Sequence, residues 1–188
     1  MILEALVTTI NADGTPHVAP MGPRVDVDFS RFTLRPFPTS GTYRNLRRHP
    51  EGVIHVTDDA RLIAKAALGA VDPLPPWEPA RTVKGFVLGD ACRWYEFRVT
   101  SIDDSTERVT IETDVLHTGR GRDFFGFNRA KHAVVEAAIL ATRMHLIPHS
   151  EIAAEFAKFR IIVNKTGGEA EHEAMDFLES RLAVEAAR

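Results

Sequence analysis

The hydrophobic pattern falls into two regimes. Up to about residue 58 the apolar positions come in short runs, LEALVTTI, TPHVAPMG, RFTLRPF and GVIHVTDD, as in strands of a partly buried sheet. The spacing predicts strands near 2–10, 16–22 and 30–36. Asp13-Gly14 between the first two reads as a hairpin turn, and Pro36 and Pro38 stop the third because proline cannot donate to a central ladder. Gly41 to Arg48 reads as a short helix with Ser40 or Thr42 as N-cap, GVIHVTDD as a buried strand, and ARLIAKAALG as a helix ended by Gly69. VDPLPPWEP reads as a proline-rich loop, a lid or intersubunit arm carrying Trp77. ACRWYEFRVTSI and ERVTIETDVL then alternate about a turn at Asp103-Asp104-Ser105-Thr106.

After HTGRGRDFFGF the period becomes helical. NRAKHAVVEAAILATRMHLI forms one amphipathic helix up to Pro148, SEIAAEFAKFRIIVNKTGG a second with Ser150 as N-cap, and EAEHEAMDFLESRLAVEAAR a third beyond Gly167-Gly168. About six strands followed by about three helices make an α+β chain, not an alternating βαβ one. The expected domains are residues 1–125 and a helical extension, 126–188, packed on the first.

The composition, 44% apolar and 26% charged in 188 residues, is that of a folded domain, and no stretch has the length of a membrane span. The opening MILEALVTTINADG lacks the features of a signal peptide, which points to the cytoplasm. The single Cys92 fits a reducing compartment and reads as a buried structural thiol. A net charge of -3 with a pI near 6.2 argues against a broad nucleic-acid or anionic-membrane footprint.

One stretch stands out chemically. In TLRPFPTSGTYRNLRRHP a strand ends at Arg35 and a helix opens with Ser40, Thr42 and Asn45, which offers guanidinium, hydroxyl and helix-start N–H donors suited to a phosphate monoester. The plain alternative is a helix cap with Arg35 facing water. There is no GxxxxGK[ST] loop and no GxGxxG after a strand, so the nucleoside triphosphate and Rossmann readings have no support.

HVAPMG at 17–22, RPFPTSGTYRNL at 35–46 and VIHVTDD at 53–59, in that order, resemble the flavin-binding split-barrel proteins. Nearly end to end, the chain resembles the DUF447 family. The strand VIHVTDD departs from the flavin-reductase pattern at His55, where asparagine is frequent. The resemblance implies a six-stranded split β-barrel with a C-terminal helical extension, a homodimer, and FMN near the dimer interface. Arg35, Ser40, Thr42 and Asn45 would hold the FMN phosphate, and the backbone of Ala19, Pro20, Met21 and Gly22 would face the isoalloxazine edge.

Lys131 and Arg129, with Asn128, follow DFFGF and are candidates for a second basic wall of that pocket from the same or a partner chain. Basic residues in a first helical turn oppose the dipole, so an anionic neighbour suits them. His132 and Glu136 share a helix face but match no metal signature, and a solvated pair is the simpler reading. No catalytic acid or base is assigned. The implied function is an FMN-dependent oxidoreductase of unknown substrate; a non-enzymatic flavin carrier and a flavin-free site for a phosphorylated metabolite stay open.

Overall fold

The computed structural model describes residues 1–186, so the last two residues of the helix expected over 169–188 lie outside the described residues. The chain divides into two compact units, Met1–Thr57 with Pro73–Phe124, and Asp58–Asp72 with Phe125–Arg188. The segment 58–72, expected in the first domain, thus belongs with the helices.

The first unit is built on one antiparallel sheet of seven strands. In chain order these are β1 (Ala5–Ile10), β2 (Pro16–Met21), β3 (Arg24–Val25), β4 (Arg31–Leu34), β5 (Glu51–Val56), then β8 (Arg93–Asp103) and β9 (Thr110–Arg120), separated by a small ribbon of β6 (Trp77–Pro79) and β7 (Phe86–Leu88). The sheet order is β2-β1-β5-β8-β9-β4-β3. Residues ahead of β1 return to the far edge: Leu3 N donates to Pro23 O and Val25 N to Met1 O, each at 3.0 Å, and Ile2 bridges Arg24. The opening strand therefore serves both ends of the sheet, which curls into a barrel. Two-residue β3 is too short to leave a period-2 signal, which is why six strands rather than seven were expected. The ribbon also replaces the free loop expected around Trp77, whose ring packs edge-on against Phe86 at 4.6 Å.

Inside the barrel the alternate positions Val7, Phe32, Leu34, Ile54, Tyr95, Phe97 and Ile111 form the core, with Tyr43 and Leu46 of helix α1 (Gly41–Arg48) sealing it. The opposite face of the central strands is buried too, beneath residues 80–88. Four polar side chains there bond to the backbone of that segment. Thr8 Oγ1 donates to Phe86 O at 2.6 Å, Glu51 Oε2 accepts from Lys84 N at 2.8 Å, and His55 Nε2 accepts from Leu88 N at 3.1 Å. Glu96, fully buried, accepts from the N–H groups of Arg81, Thr82 and Val83. Because Nε2 accepts, the His55 proton sits on Nδ1, facing Leu6 O at 3.3 Å. Burial holds its pKa down at about 4. Trp94 lies on this face with Val53 and Val83, while its neighbour Tyr95 points into the barrel.

The second unit comprises α2 (Ala60–Ala67), α3 (Arg129–Ala141), α4 (His149–Thr166) and α5 (Glu169–Ala186). Its core is rich in alanine, with Ala60, Ala64, Ala133, Ala137 and Ala174 among Ile152, Phe156, Met175 and Leu178, so the helix axes can approach closely. Helix α3 ends at Ala141, short of the expected residue 147. Beyond it the chain tightens into turns, Arg143 N bonding Leu140 O and Leu146 N bonding Arg143 O. The N-cap of α4 is Pro148, which has no capping side chain, so Ser150 lies within the first turn and is not the cap expected.

Candidate functional site

The site is set by the edge strand β2. Asn11 N bonds Thr15 O at 2.9 Å, and the register continues His17 opposite Thr9 and Ala19 opposite Val7. Odd-numbered residues of β2 therefore bond to β1, while Pro16, Val18 and Pro20 turn their backbone groups outward. Both prolines thus occupy positions where a missing N–H breaks no ladder bond.

Helix α1 starts against this strand. A side chain at position 41 would come within 2.9 Å of the His17 ring, so the first turn is pressed onto β2 by the absence of one. Ser40 is the N-cap, its Oγ accepting from Tyr43 N at 3.2 Å. No acidic residue occupies the first turn, and Arg47 and Arg48 complement the dipole in the last.

Between β2, the end of β4 and the start of α1 lies a cleft of about 550 Å³. It brings together Ala19, Pro20, Met21, Gly22, Arg35, Ser40 and Thr42. It is also lined by Ile2, Pro36, Phe37, Arg24 from β3 and Arg108 from the β8–β9 hairpin, none of which the sequence pointed to as site residues. The Arg108 guanidinium lies 3.6 Å from the centroid of the Phe37 ring, and its Nη1 donates to Arg35 O at 3.2 Å. The hairpin is tied to α1 by Tyr43, whose hydroxyl donates to Asp104 Oδ2 at 2.6 Å. The lining contains no Asp or Glu, and among the described residues Arg24, Arg35 and Arg108 make no ion pair. A carboxylate-free cleft with three uncompensated guanidiniums and a helix start is electrostatically an anion site.

Asn45 is not among the lining residues. It is buried, with Nδ2 donating to Thr9 Oγ1 at 3.0 Å and Asn11 Oδ1 at 3.1 Å, and Oδ1 accepting from Arg48 at 3.1 Å. Its amide fastens α1 to the β1 end and is spent there. Asn128 and Lys131 belong to the helical unit. Asn128 Oδ1 caps α3, accepting from Ala130 N and Lys131 N, and its Nδ2 donates to Thr166 O at 3.0 Å. Lys131 Nζ pairs with Glu171 at 3.0 Å and donates to Asp58 O at 2.8 Å. The anionic neighbour that its helix position asked for is a carboxylate of α5.

Comparison with known proteins adds the family. The model described as the N-terminal domain of the protein of unknown function DUF447 matches residues 3–122, and that family's C-terminal model matches 128–180. The chain belongs to the DUF447 family. Among solved structures, the FMN-bound DUF447 protein MM1853 from Methanosarcina mazei matches with a TM-score of 0.82 at 24% identity, over 96% of this chain and 94% of that one. A flavin reductase domain protein from Arthrobacter sp. FB24 matches at TM-score 0.55 and 16% identity, over 65% of this chain and 80% of its own. The 2-nitrobenzoate 2-nitroreductase of Pseudomonas fluorescens matches at 0.54 and 18%, over 62% and 63%. No curated protein matches. The shared fold is the split β-barrel of FMN-binding proteins, which this DUF447 chain forms with a seven-stranded sheet, alongside its helical unit. Among the described residues, no helix is long and apolar enough to cross a membrane.

Proposed function

We propose that this DUF447 protein binds FMN in the β2–α1 cleft and works as a flavin-dependent oxidoreductase. The observation that carries the reading is the meeting, in one carboxylate-free cleft, of Arg35, Ser40 and Thr42 with the outward backbone of β2. The donor set fits the group. Arg35 and the two hydroxyls at the start of α1 would hold the phosphate, and the backbone of Ala19 to Gly22 would face the ring. Support comes from the fold shared with the FMN-bound protein of M. mazei.

Bound flavin supplies one- and two-electron transfer; the chain supplies anchoring and orientation. The cleft lining carries no His, Asp, Glu, Cys, Lys or Tyr, so no side chain there is a general acid or base near neutral pH. That suits redox chemistry carried by a cofactor, and it equally suits a flavin carrier. Ile2 and Phe37 on the rim, 61% and 50% exposed, are apolar surface that a second copy would cover, in keeping with a homodimer closing over the cleft.

The test is to soak the purified protein in FMN, desalt it, record the visible spectrum, and then follow NADH and NADPH consumption. Retained flavin with turnover supports the oxidoreductase. Retained flavin that neither nucleotide reduces supports the carrier, and a colourless protein refutes both.

A further inference from the structure

We propose that the same cleft holds a second anion subsite, formed by Arg24 and Arg108, which binds a carboxylate- or phosphate-bearing substrate beside the cofactor. This rests on the assignment of Arg35, Ser40 and Thr42 to the FMN phosphate.

A phosphate monoester carries about -1.5 to -2 near neutral pH. The cleft presents three guanidiniums, and the start of α1 adds roughly half a positive charge. One phosphate leaves more than one positive charge uncompensated. Several arginines elsewhere in the chain are paired with carboxylates: Arg31 with Asp114, Arg61 with Glu173, Arg98 with Glu51, Arg122 with Asp90, and Arg160 with Asp176 and Glu179. The cleft instead gathers three arginines with no carboxylate in its lining.

Arg35 leads directly into α1 and its hydroxyls, whereas Arg24 and Arg108 arrive from other elements. Arg24 stands opposite Thr33 on the β3–β4 ladder, so its side chain leaves the face that points away from the core residues Phe32 and Leu34. Arg108 is already ordered. Its stack on Phe37 and its bond to Arg35 O fix the guanidinium plane, and with one N–H engaged it keeps four donors. A guanidinium held in place before the ligand arrives loses little freedom on binding, and its fork matches a carboxylate or phosphate. The substrate class that fits is therefore a small organic acid or phosphate ester, not a neutral molecule.

The experiment uses FMN-loaded protein at constant ionic strength, titrated calorimetrically with benzoate and, separately, with inorganic phosphate. These probes distinguish a carboxylate substrate from a phosphate one. At least one should bind, and the double variant Arg24→Gln/Arg108→Gln should weaken it by about tenfold or more while FMN affinity stays within about threefold. Arg108→Lys, which keeps the charge but loses the planar fork, should weaken it by a smaller factor. Thermal melts confirm that the variants fold.

Two results overturn the proposal. One is FMN-loaded wild type that binds neither probe at concentrations up to about 50 mM; the other is a double variant that loses FMN as severely as Arg35→Ala, which would mean that all three arginines serve one phosphate. Failure of the FMN reading is distinct, because wild type then takes up no flavin at all; that result removes both.

Discussion

Replacing Glu96 by glutamine tests how the outer face of the barrel is held. The buried carboxylate accepts from Arg81 N at 2.9 Å, Thr82 N at 2.6 Å and Val83 N at 3.3 Å, the last two at the same oxygen. A glutamine carbonyl placed at that oxygen keeps Thr82 and Val83. Its amide then points N–H groups at the N–H of Arg81. The variant loses a bond to a charged acceptor, roughly 1.5–3 kcal/mol, and leaves buried donors unsatisfied, roughly 1–3 kcal/mol. These two costs overlap, so the expected net loss is about 3 kcal/mol. For a chain of this size that lowers Tm by roughly 6–12 °C. Thermal and urea unfolding give the magnitude, and hydrogen exchange locates it. The amides of 81–83 should lose more protection than those of β8 and β9. A loss below about 1 kcal/mol, or unchanged protection at 81–83, would refute the idea that this carboxylate anchors the segment.

Three further outcomes follow from the structure. His55, buried neutral, refuses a proton until about pH 4, whereas the unfolded chain takes one up near its ordinary value of 6.5. Its contribution to stability is thus complete above pH 6.5 and is lost as pH falls towards 4, roughly 3 kcal/mol in all; the pH dependence of Tm across that window should be shallower by about one proton in His55→Gln. Asn45→Ala should destabilise the first unit by about 2 kcal/mol, since Thr9, Asn11 and Arg48 lose their shared partner. FMN affinity should stay within about threefold in that variant, and a large loss would return Asn45 to the site. Arg35→Ala should weaken FMN about tenfold or more at unchanged Tm, and equal flavin retention would remove it from the phosphate subsite.

Much of this was legible because the signals are local. The hairpin at Asp13-Gly14, the β2 segment from Ala19 to Gly22 and the Arg35-to-Thr42 block lie within 30 residues of one another, and chain continuity alone brings them together. What escaped was non-local. Arg108 enters the cleft from a hairpin more than 70 residues beyond Arg35, and nothing in its own neighbourhood marks it. Glu96 sits at a position where alternation predicts water, yet it is buried because residues 80–88 cover that face and their backbone satisfies its carboxylate; the same cover gives His55, in a strand expected to be buried, its Leu88 partner. Asn45 and Lys131 have the right chemistry for a phosphate, but their hydrogen bonds are taken by neighbours that only the fold reveals.

The central claim, that the start of α1 with Arg35 is a phosphate site, is tested most directly by titrating the flavin-free protein with FMN and with riboflavin under identical conditions, following flavin fluorescence. The two ligands share the ring and differ by the phosphate. Charge-assisted bonds from Arg35, Ser40 and Thr42 totalling about 2–3 kcal/mol predict FMN binding roughly 30- to 150-fold tighter, with the gap narrowing in Arg35→Ala. Equal affinity for the two flavins, or a preference that Arg35→Ala leaves unchanged, would contradict the account.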